Sequence, residues 1–444
     1  MLRDVIRHIA ERRPDLEIHI LLWDYTILYA TDRQWLPAWD FDWSTPPNVR
    51  FALDNCVPVG GAHHQKIVVV DDRVAFVGGL DLTGGRWDTR EHAAEDPLRV
   101  DHDGTPHGAF HDVQLAVEGD IAQAAGELCR LRWQACTGTA VVPPQAAGDR
   151  WPHDLAANWR NVAVGLARTL PATGEQSEIR EILALYEDSI AAARSSIYLE
   201  NQFLAAGPVA EALAQRLGEA EGPEIVIVTQ RTCVSWMEEQ VMGVRRAQIL
   251  HRLAQCDRHD RLRVLTPVVP GVAESGITFH AKVAVYDDRL VQVGSANLNN
   301  RSMGYDSECD LAIRCDAEGD RAAARDFRNG LLAEHLGIDA DDVGAAIAQQ
   351  GSLIAAIDVL RRKAGRRLEP LPPPDEPPES FEALTALGDP EQPISAAAWL
   401  QRSKLSIVAN GFFRVHPVWA GLTIFGLAGA FVLLWRFISL STLF

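Results

Sequence analysis

The sequence predicts an α/β protein made of two homologous halves, followed by a C-terminal membrane-spanning helix. Three observations carry this. A strand–turn–strand string occurs twice, 216 residues apart. Upstream of each copy, β-type runs alternate with helical stretches. Near the C-terminus, an uncharged apolar run of 18 residues covers 418–435.

The first half reads as a helix over Leu2–Arg12, then strands over Leu16–Trp23 and Asn48–Leu53. Next comes His64 and the string Gln-Lys-Ile-Val-Val-Val-Asp-Asp-Arg-Val-Ala-Phe-Val-Gly-Gly-Leu-Asp at 65–81. The second half carries strands over Ser196–Phe203, Glu224–Thr229 and Arg261–Leu265, with helices over Val209–Leu217 and Trp236–Ala254. Its string, from His280, is His-Ala-Lys-Val-Ala-Val-Tyr-Asp-Asp-Arg-Leu-Val-Gln-Val-Gly-Ser-Ala-Asn-Leu at 280–298. In both copies β-branched runs flank an Asp-Asp-Arg turn, the pattern of a hairpin. Gly78 and Gly294 stand at one offset from their histidines. A largely parallel sheet is expected around them. Aligned on the histidines, the first half lacks a counterpart of Ser196–Phe203. The chain is therefore expected to begin one strand inside its domain; an alternative start, a fragment or divergence each accounts for that.

The expected organisation is a first half over 1–150, a second over 151–340, a helical tail and acidic proline-rich linker over 341–395, and a juxtamembrane and membrane segment over 396–444. The linker includes Leu-Pro-Pro-Pro-Asp-Glu-Pro-Pro at 371–378, a semi-rigid spacer. Trp419 and Trp435 near the ends of the apolar run suit the two bilayer interfaces. Arg402, Lys404 and Arg414 before it, against Arg436 after it, place the body on the cytoplasmic side. No N-terminal apolar run of secretory length is present.

With 444 residues and 47% hydrophobic content, the chain has ample material for two cores. Its net charge of -18, from 42 basic and 60 acidic side chains, counts against a nucleic-acid partner. Seven cysteines (56, 129, 136, 233, 256, 309 and 315) are scattered with no Cys-x-x-Cys pair, which argues for reduced thiols and against a zinc site.

Residues two apart on a strand share a face, so His64 projects with Lys66 and His280 with Lys282. Cleaving a phosphodiester needs a nucleophile, a proton for the leaving alkoxide and cations for the non-bridging oxygens. Two histidines, one neutral and one protonated, supply the first two. Two lysines supply the third, and no metal or other cofactor is called for. Each histidine also wants a carboxylate on its other ring nitrogen. By offset these are Asp88 for His64 and Glu308 for His280, with Asp306 competing for the second place.

His-x-Lys-x4-Asp followed by Gly-Gly or Gly-Ser resembles the signature of the phospholipase D superfamily. Further strings resemble its phospholipase D/transphosphatidylase branch: Gly-Gly-Leu-Asp-Leu at 78–82, Gly-Arg-Trp-Asp at 85–88, Phe-His-Asp-Val at 110–113, Tyr-Leu-Glu-Asn-Gln-Phe at 198–203 and Gly-Ser-Ala-Asn-Leu-Asn-Asn-Arg-Ser at 294–302. The resemblance covers about residues 1–335 and implies two α-β-α halves packed face to face. It implies His64 as nucleophile, forming a phosphohistidine, and His280 as the group that protonates the leaving alcohol and then activates water; which histidine plays which part is its least fixed element. It implies Lys66, Lys282, Asn297 and Ser295 as phosphate-holding groups. Asp71 and Asp287 complete the two motifs and end their strands, where a supporting role fits. Gly79 and Asp81 replace the second half's Ser295 and Asn297, as they do in that branch.

His63 lacks the Lys+2, Asp+7 spacing and is expected to be structural. His111 either orients the site or caps a turn. The glycines of 78–85 suit turns and close packing more than a phosphate loop. In Tyr198–Phe203 only Glu200 and Gln202 are expected to reach the cleft. The implied substrate is a membrane phospholipid, with water or an alcohol as acceptor. A cardiolipin synthase-type phosphatidyltransferase and a catalytically impaired membrane-tethered scaffold are the competing readings, and a nuclease comes last.

Overall fold

A computed structural model describes residues 2–23, 46–58, 60–145, 148, 150–173, 177–233, 238–272, 276–361, 365–371, 385 and 388–393. In the first half, helix α1 (Leu2–Arg12) precedes strands β1 (Ile18–Trp23) and β2 (Val49–Asp54), which pair in parallel. Strands β3 (Ile67–Val70), β4 (Val74–Gly78) and β6 (Gln114–Glu118) form an antiparallel sheet, with the two-residue β5 (Phe110–His111) between β4 and β6. Helix α2 (Asp120–Thr137) closes the half.

The second half contains β7 (Ala163–Leu170), β8 (Ile179–Arg180), α3 (Glu181–Ala192), β9 (Ser196–Asn201), α4 (Gly207–Gly218), β10 (Glu224–Val228), α5 (Val244–Cys256) and β11 (Leu262–Val268). It continues through β12 (Thr278–Phe279), β13 (Lys282–Tyr286), β14 (Leu290–Gly294), α6 (Asn300–Gly304), β15 (Glu308–Arg314) and α7 (Glu318–Leu336). Helices α8 (Ala340–Gln350) and α9 (Leu353–Leu360) and strand β16 (Arg367–Pro370) follow. Nine of these strands make one sheet in the order β16-β11-β10-β9-β13-β14-β15-β7-β8.

The sheet is mixed, where a largely parallel one was expected. Only β9-β10 and β10-β11 pair in parallel, because helical crossovers join them. The β13-β14 connection is too short for a crossover and reverses the chain. Its turn holds Asp287 and Asp288 at φ 52° and 54°, and Asp71 and Asp72 stand at 54° in the first half. Asp tolerates this left-handed backbone better than most residues.

Register makes the duplication explicit. Gly78 lies opposite Gln114 and Gly294 opposite Asp310, so β6 corresponds to β15. Likewise β1-β2 corresponds to β10-β11. In the second half β9 lies between β10 and β13 and unites them in one sheet. Among the described residues the first half has no strand in that place, and β1-β2 and β3-β4-β6 remain separate sheets.

Two layers of side chains pack on either face of β9, β10, β13 and β14. Val283, Val285, Val291 and Val293 belong to one core with the first half's Val77, Val117 and Leu128. Ile197, Leu199, Ile225 and Ile227 belong to another with helices α3, α4 and α5. The first core thus spans both halves. A short parallel pairing of β5 with β12 joins their backbones.

The expectation of a membrane location with a C-terminal span is corrected. No helix among the described residues is long and apolar enough to cross a membrane, and 418–435 lies outside the described residues. The expected linker also differs: Gly388–Pro393 packs against the body, and Asp389 is buried, accepting from the Asn300 and Arg301 amides at the start of α6 (3.2 and 2.9 Å).

Candidate active site

The site forms where the strand ends of both halves meet. His64 and Lys66 lie just before β3, and His280 and Lys282 straddle the start of β13. The two pairs are built alike. Lys66 Nζ donates to the His64 carbonyl (2.9 Å) and Lys282 Nζ to the His280 carbonyl (2.5 Å). The His64 amide donates to the Ser307 carbonyl (3.0 Å), and the His280 amide to the His111 carbonyl (2.8 Å). Each histidine is therefore fixed by backbone from the opposite half.

The carboxylates cross over in the same way. His64 Nδ1 meets both oxygens of Glu308 at 2.9 Å, and His280 Nδ1 meets Asp112 Oδ2 at 2.9 Å. Both sequence assignments are corrected: Glu308 serves His64, and Asp88 serves neither. Asp88 instead accepts from His92 (2.8 Å) and from the Phe110 amide (2.7 Å). Asp306, the competitor, pairs with Arg301. The structural reason is the swap itself, since β5 lies on β12 and Ser307 beside His63, so each carboxylate faces the other half's histidine. Asp112 was missed. It lies 48 residues past His64 against 28 for Glu308 past His280, so offsets hid it, although it sits inside the Phe-His-Asp-Val string.

The two carboxylates are held differently. Glu308 accepts from the Ser295 and Ser302 hydroxyls at 2.5 and 2.6 Å. Ser295 therefore orients Glu308, where a phosphate contact was expected. Gly79 occupies the matching place opposite Asp112, and a Cβ there would collide with Asp112 Oδ1. That collision, more than backbone freedom, calls for glycine. Asp81 pairs with Lys66 (3.3 Å) and Arg86 (3.1 Å), while Gln202 Oε1 accepts from Lys282 (3.3 Å). The Asn297 side-chain oxygen is buried with no hydrogen-bond partner among the described residues.

Burial dominates the titration of these groups. It lowers both histidines well below their ordinary range, and the charges of Lys66 and Lys282 lower them further. Lys282 is pushed down to about 7 by burial, against the pull of Asp112. Burial lifts Asp112 to about 6 and Glu308 to about 7, while the lysines oppose it in both. The crossed carboxylates and the lysine–carbonyl bonds bring Lys66, Lys282, His64 and His280 to one site. An anion entering it would favour the charged forms of lysine and histidine.

Three expected participants lie elsewhere. Asp287 accepts from the Arg194, Ser195 and Ser196 amides at 2.7, 2.7 and 2.9 Å, and Asp71 pairs with Arg150. Both sit at the far end of their strands, roughly 17 Å from the lysines at about 3.3 Å per residue. Glu200, opposite Val283 in register, faces the reverse side of the sheet and bonds His111 (2.8 Å), His335 (2.9 Å) and Tyr198 (2.5 Å). His63 is structural as expected, pairing with the buried Asp54.

Three groups bring potential metal ligands within 4.8 Å of one another: Asp54, Cys56 and Cys136; His92, His111 and Glu334; His111, Glu200 and His335. In the two histidine groups the nitrogen–oxygen separations are 2.6 to 3.1 Å. Ligands of one tetrahedral ion with bonds of about 2.0–2.1 Å stand roughly 3.3 Å apart. These are hydrogen-bond distances.

A family model described as Phospholipase D matches residues 54–148 and 252–356, one copy for each His–Lys half-site. The chain belongs to the phospholipase D superfamily. Phospholipase D1 of Schizosaccharomyces pombe is 25% identical over 379 residues, covering 63% of this chain and 28% of the relative. Phospholipase D A of Dictyostelium discoideum is 26% identical over 395 residues, covering 73% and 31%. The chain thus spans less than a third of the length of these relatives. Among solved structures, phosphatidylserine synthase of Haemophilus influenzae matches with a TM-score of 0.51 at 16% identity, covering 74% of this chain and 76% of that one. That likeness is one of fold alone.

Proposed function

We propose that the chain is a phospholipase D-type phosphodiesterase that moves a phosphatidyl group from a glycerophospholipid to water or an alcohol. The observation that carries this is the crossed pair of His–Lys half-sites, each histidine backed on Nδ1 by a carboxylate from the other half. With Nδ1 occupied, Nε2 of each ring is the atom left to meet a substrate. The reading takes 1–150 and 151–340 as the two halves.

His64, whose side chain is 25% exposed against 8% for His280, is the better placed nucleophile. Its Nε2 attacks phosphorus, the P–O bond to the headgroup breaks, and His280 gives its proton to the departing oxygen. His280, now neutral, takes a proton from water or alcohol, whose oxygen attacks phosphorus and releases His64. Lys66, Lys282 and the Asn297 amide hold the non-bridging oxygens. Glu308 and Asp112 stabilise whichever imidazole carries positive charge.

Incubation with mixed phospholipids and ethanol, read by lipid mass spectrometry, tests this. Phosphatidylethanol and phosphatidic acid are the expected products. Cardiolipin formed from phosphatidylglycerol would indicate the phosphatidyltransferase reading instead. No lipid turnover at all would refute both.

A further inference from the structure

Behind the site lies a buried string that the chemistry above does not use. Asp88 meets His92 (2.8 Å), and His92 meets Glu334 (3.1 Å). Glu334 meets His111 (2.6 Å), His111 meets Glu200 (2.8 Å), and Glu200 meets His335 (2.9 Å). The side chains are at most 6% exposed. Asp88, His92 and His111 come from the first half; Glu200 of β9 and Glu334 and His335 of α7 come from the second. His111 is the residue next to Asp112, and its carbonyl holds the His280 amide.

We propose that this string is a positioning device for the site, in which His111 clamps the two halves together and sets Asp112 against His280. The inference rests on the phosphohistidine reading for its consequence and on geometry for its existence. His111 is gripped on both ring nitrogens by carboxylates, so both carry protons and the ring is a fixed cation. Burial opposes that charge, but Glu200 and Glu334 outweigh it and push His111 up to about 10. Glu200 correspondingly falls to about 2, since His335 and His111 outweigh its burial.

The device is one-sided. Ser307 stands beside Glu308 where His111 stands beside Asp112, and its hydroxyl is buried without a hydrogen-bond partner among the described residues. Glu308 therefore has hydroxyl donors but no cation at its back. The groups facing Asp112 are His280, Lys282, Lys66, the Val113 amide and His111. Those around His111 are Glu200, Glu334, His335, His92 and the Phe279 ring. After the larger pull of Lys282 and the Val113 amide, His111 adds a cation on the far side of Asp112 that Glu308 lacks among the described residues. This fits His280 as the histidine that carries the proton between steps.

The test pairs kinetics with a direct view of the ring. In the full chain, His111→Gln should lower kcat on short-chain phosphatidylcholine, leave KM unchanged, and move the acid limb of kcat/KM upward by roughly one unit, as loss of a cation beside a carboxyl predicts. Histidine-selective 15N labelling of the unaltered protein should show the His111 ring doubly protonated from pH 6 to 9, with the signal assigned by its loss in His111→Gln or its shift in Glu334→Gln. A folded His111→Gln with an unmoved acid limb, or a singly protonated His111 ring at pH 7, overturns the proposal. Failure of the phosphohistidine reading would show separately, as turnover surviving His64→Asn, and leaves the ring measurement intact.

Discussion

Replacing Asp112 by asparagine isolates the crossed pairing. The substitution keeps the shape of the side chain and removes its charge, leaving a neutral oxygen or amide 2.9 Å from His280 Nδ1. When His280 carries its proton, the wild-type carboxylate stabilises the imidazolium. Unit charges about 4 Å apart interact by about 4 kcal/mol at an effective dielectric of about 20. Losing that, where it acts in the transition state, lowers kcat by roughly 10³. Asparagine also offers an N–H to Nδ1, which selects the wrong tautomer and adds to the loss. Because His280 acts in both steps, release of the headgroup in a rapid-quench burst and steady turnover should both slow. The assay is choline release from phosphatidylcholine, with thermal unfolding as a control for folding. If Asp112→Asn keeps kcat within tenfold of wild type while Asp88→Asn loses 10³, the crossed pairing is wrong and the pairing read from sequence offsets is right.

His64→Asn and His280→Asn should each lose several orders of magnitude in kcat, because nucleophile and proton donor act as a unit; near-normal turnover in either refutes the two-histidine mechanism. Sulfate, whose own charge is constant here, should bind more weakly as pH rises. Lys282 sits near 7 in the free site and is raised by the anion, so binding takes up a proton above pH 7 and the affinity it confers is lost as pH climbs toward the bound-state value. Calorimetry in buffers of different ionisation heat measures that uptake, and a pH-independent affinity with no uptake refutes it. Asp287→Ala should cost about 2–4 kcal/mol in denaturant unfolding, through three amides that lose a charged acceptor, and change kcat less than threefold; a larger kcat loss would return Asp287 to the chemistry.

Much of the fold was legible because each half carries its own local signals. Leu2–Arg12 formed the helix its amphipathic spacing predicts, and the apolar runs around 196–201, 224–228 and 262–268 became strands. The Asp-Asp-Arg turns identified both hairpins, since few residue types tolerate the left-handed backbone there. Strand β16 was not anticipated. Its four residues Arg-Leu-Glu-Pro carry little β signal and are recruited by the open edge of β11.

His64, Lys66, His280 and Lys282 were determined by sequence alone, because two residues of spacing on an extended chain fixes a shared face whatever surrounds it. The partners of those groups were decided only by the tertiary structure. Glu308 and Asp112 exchange halves, Glu200 turns to the back of the sheet, and Asp88, His92, His111, Glu334 and His335 meet across 248 positions. Hydrogen bonds between side chains reach only about 3 Å, and nothing in the chain's local order brings such distant residues that close. The packing of one half on the other does, through the apolar core that Val283 and Val293 share with Val77 and Val117. The sequence therefore set which chemistry was available, and the interface between the halves set which carboxylate backs which histidine.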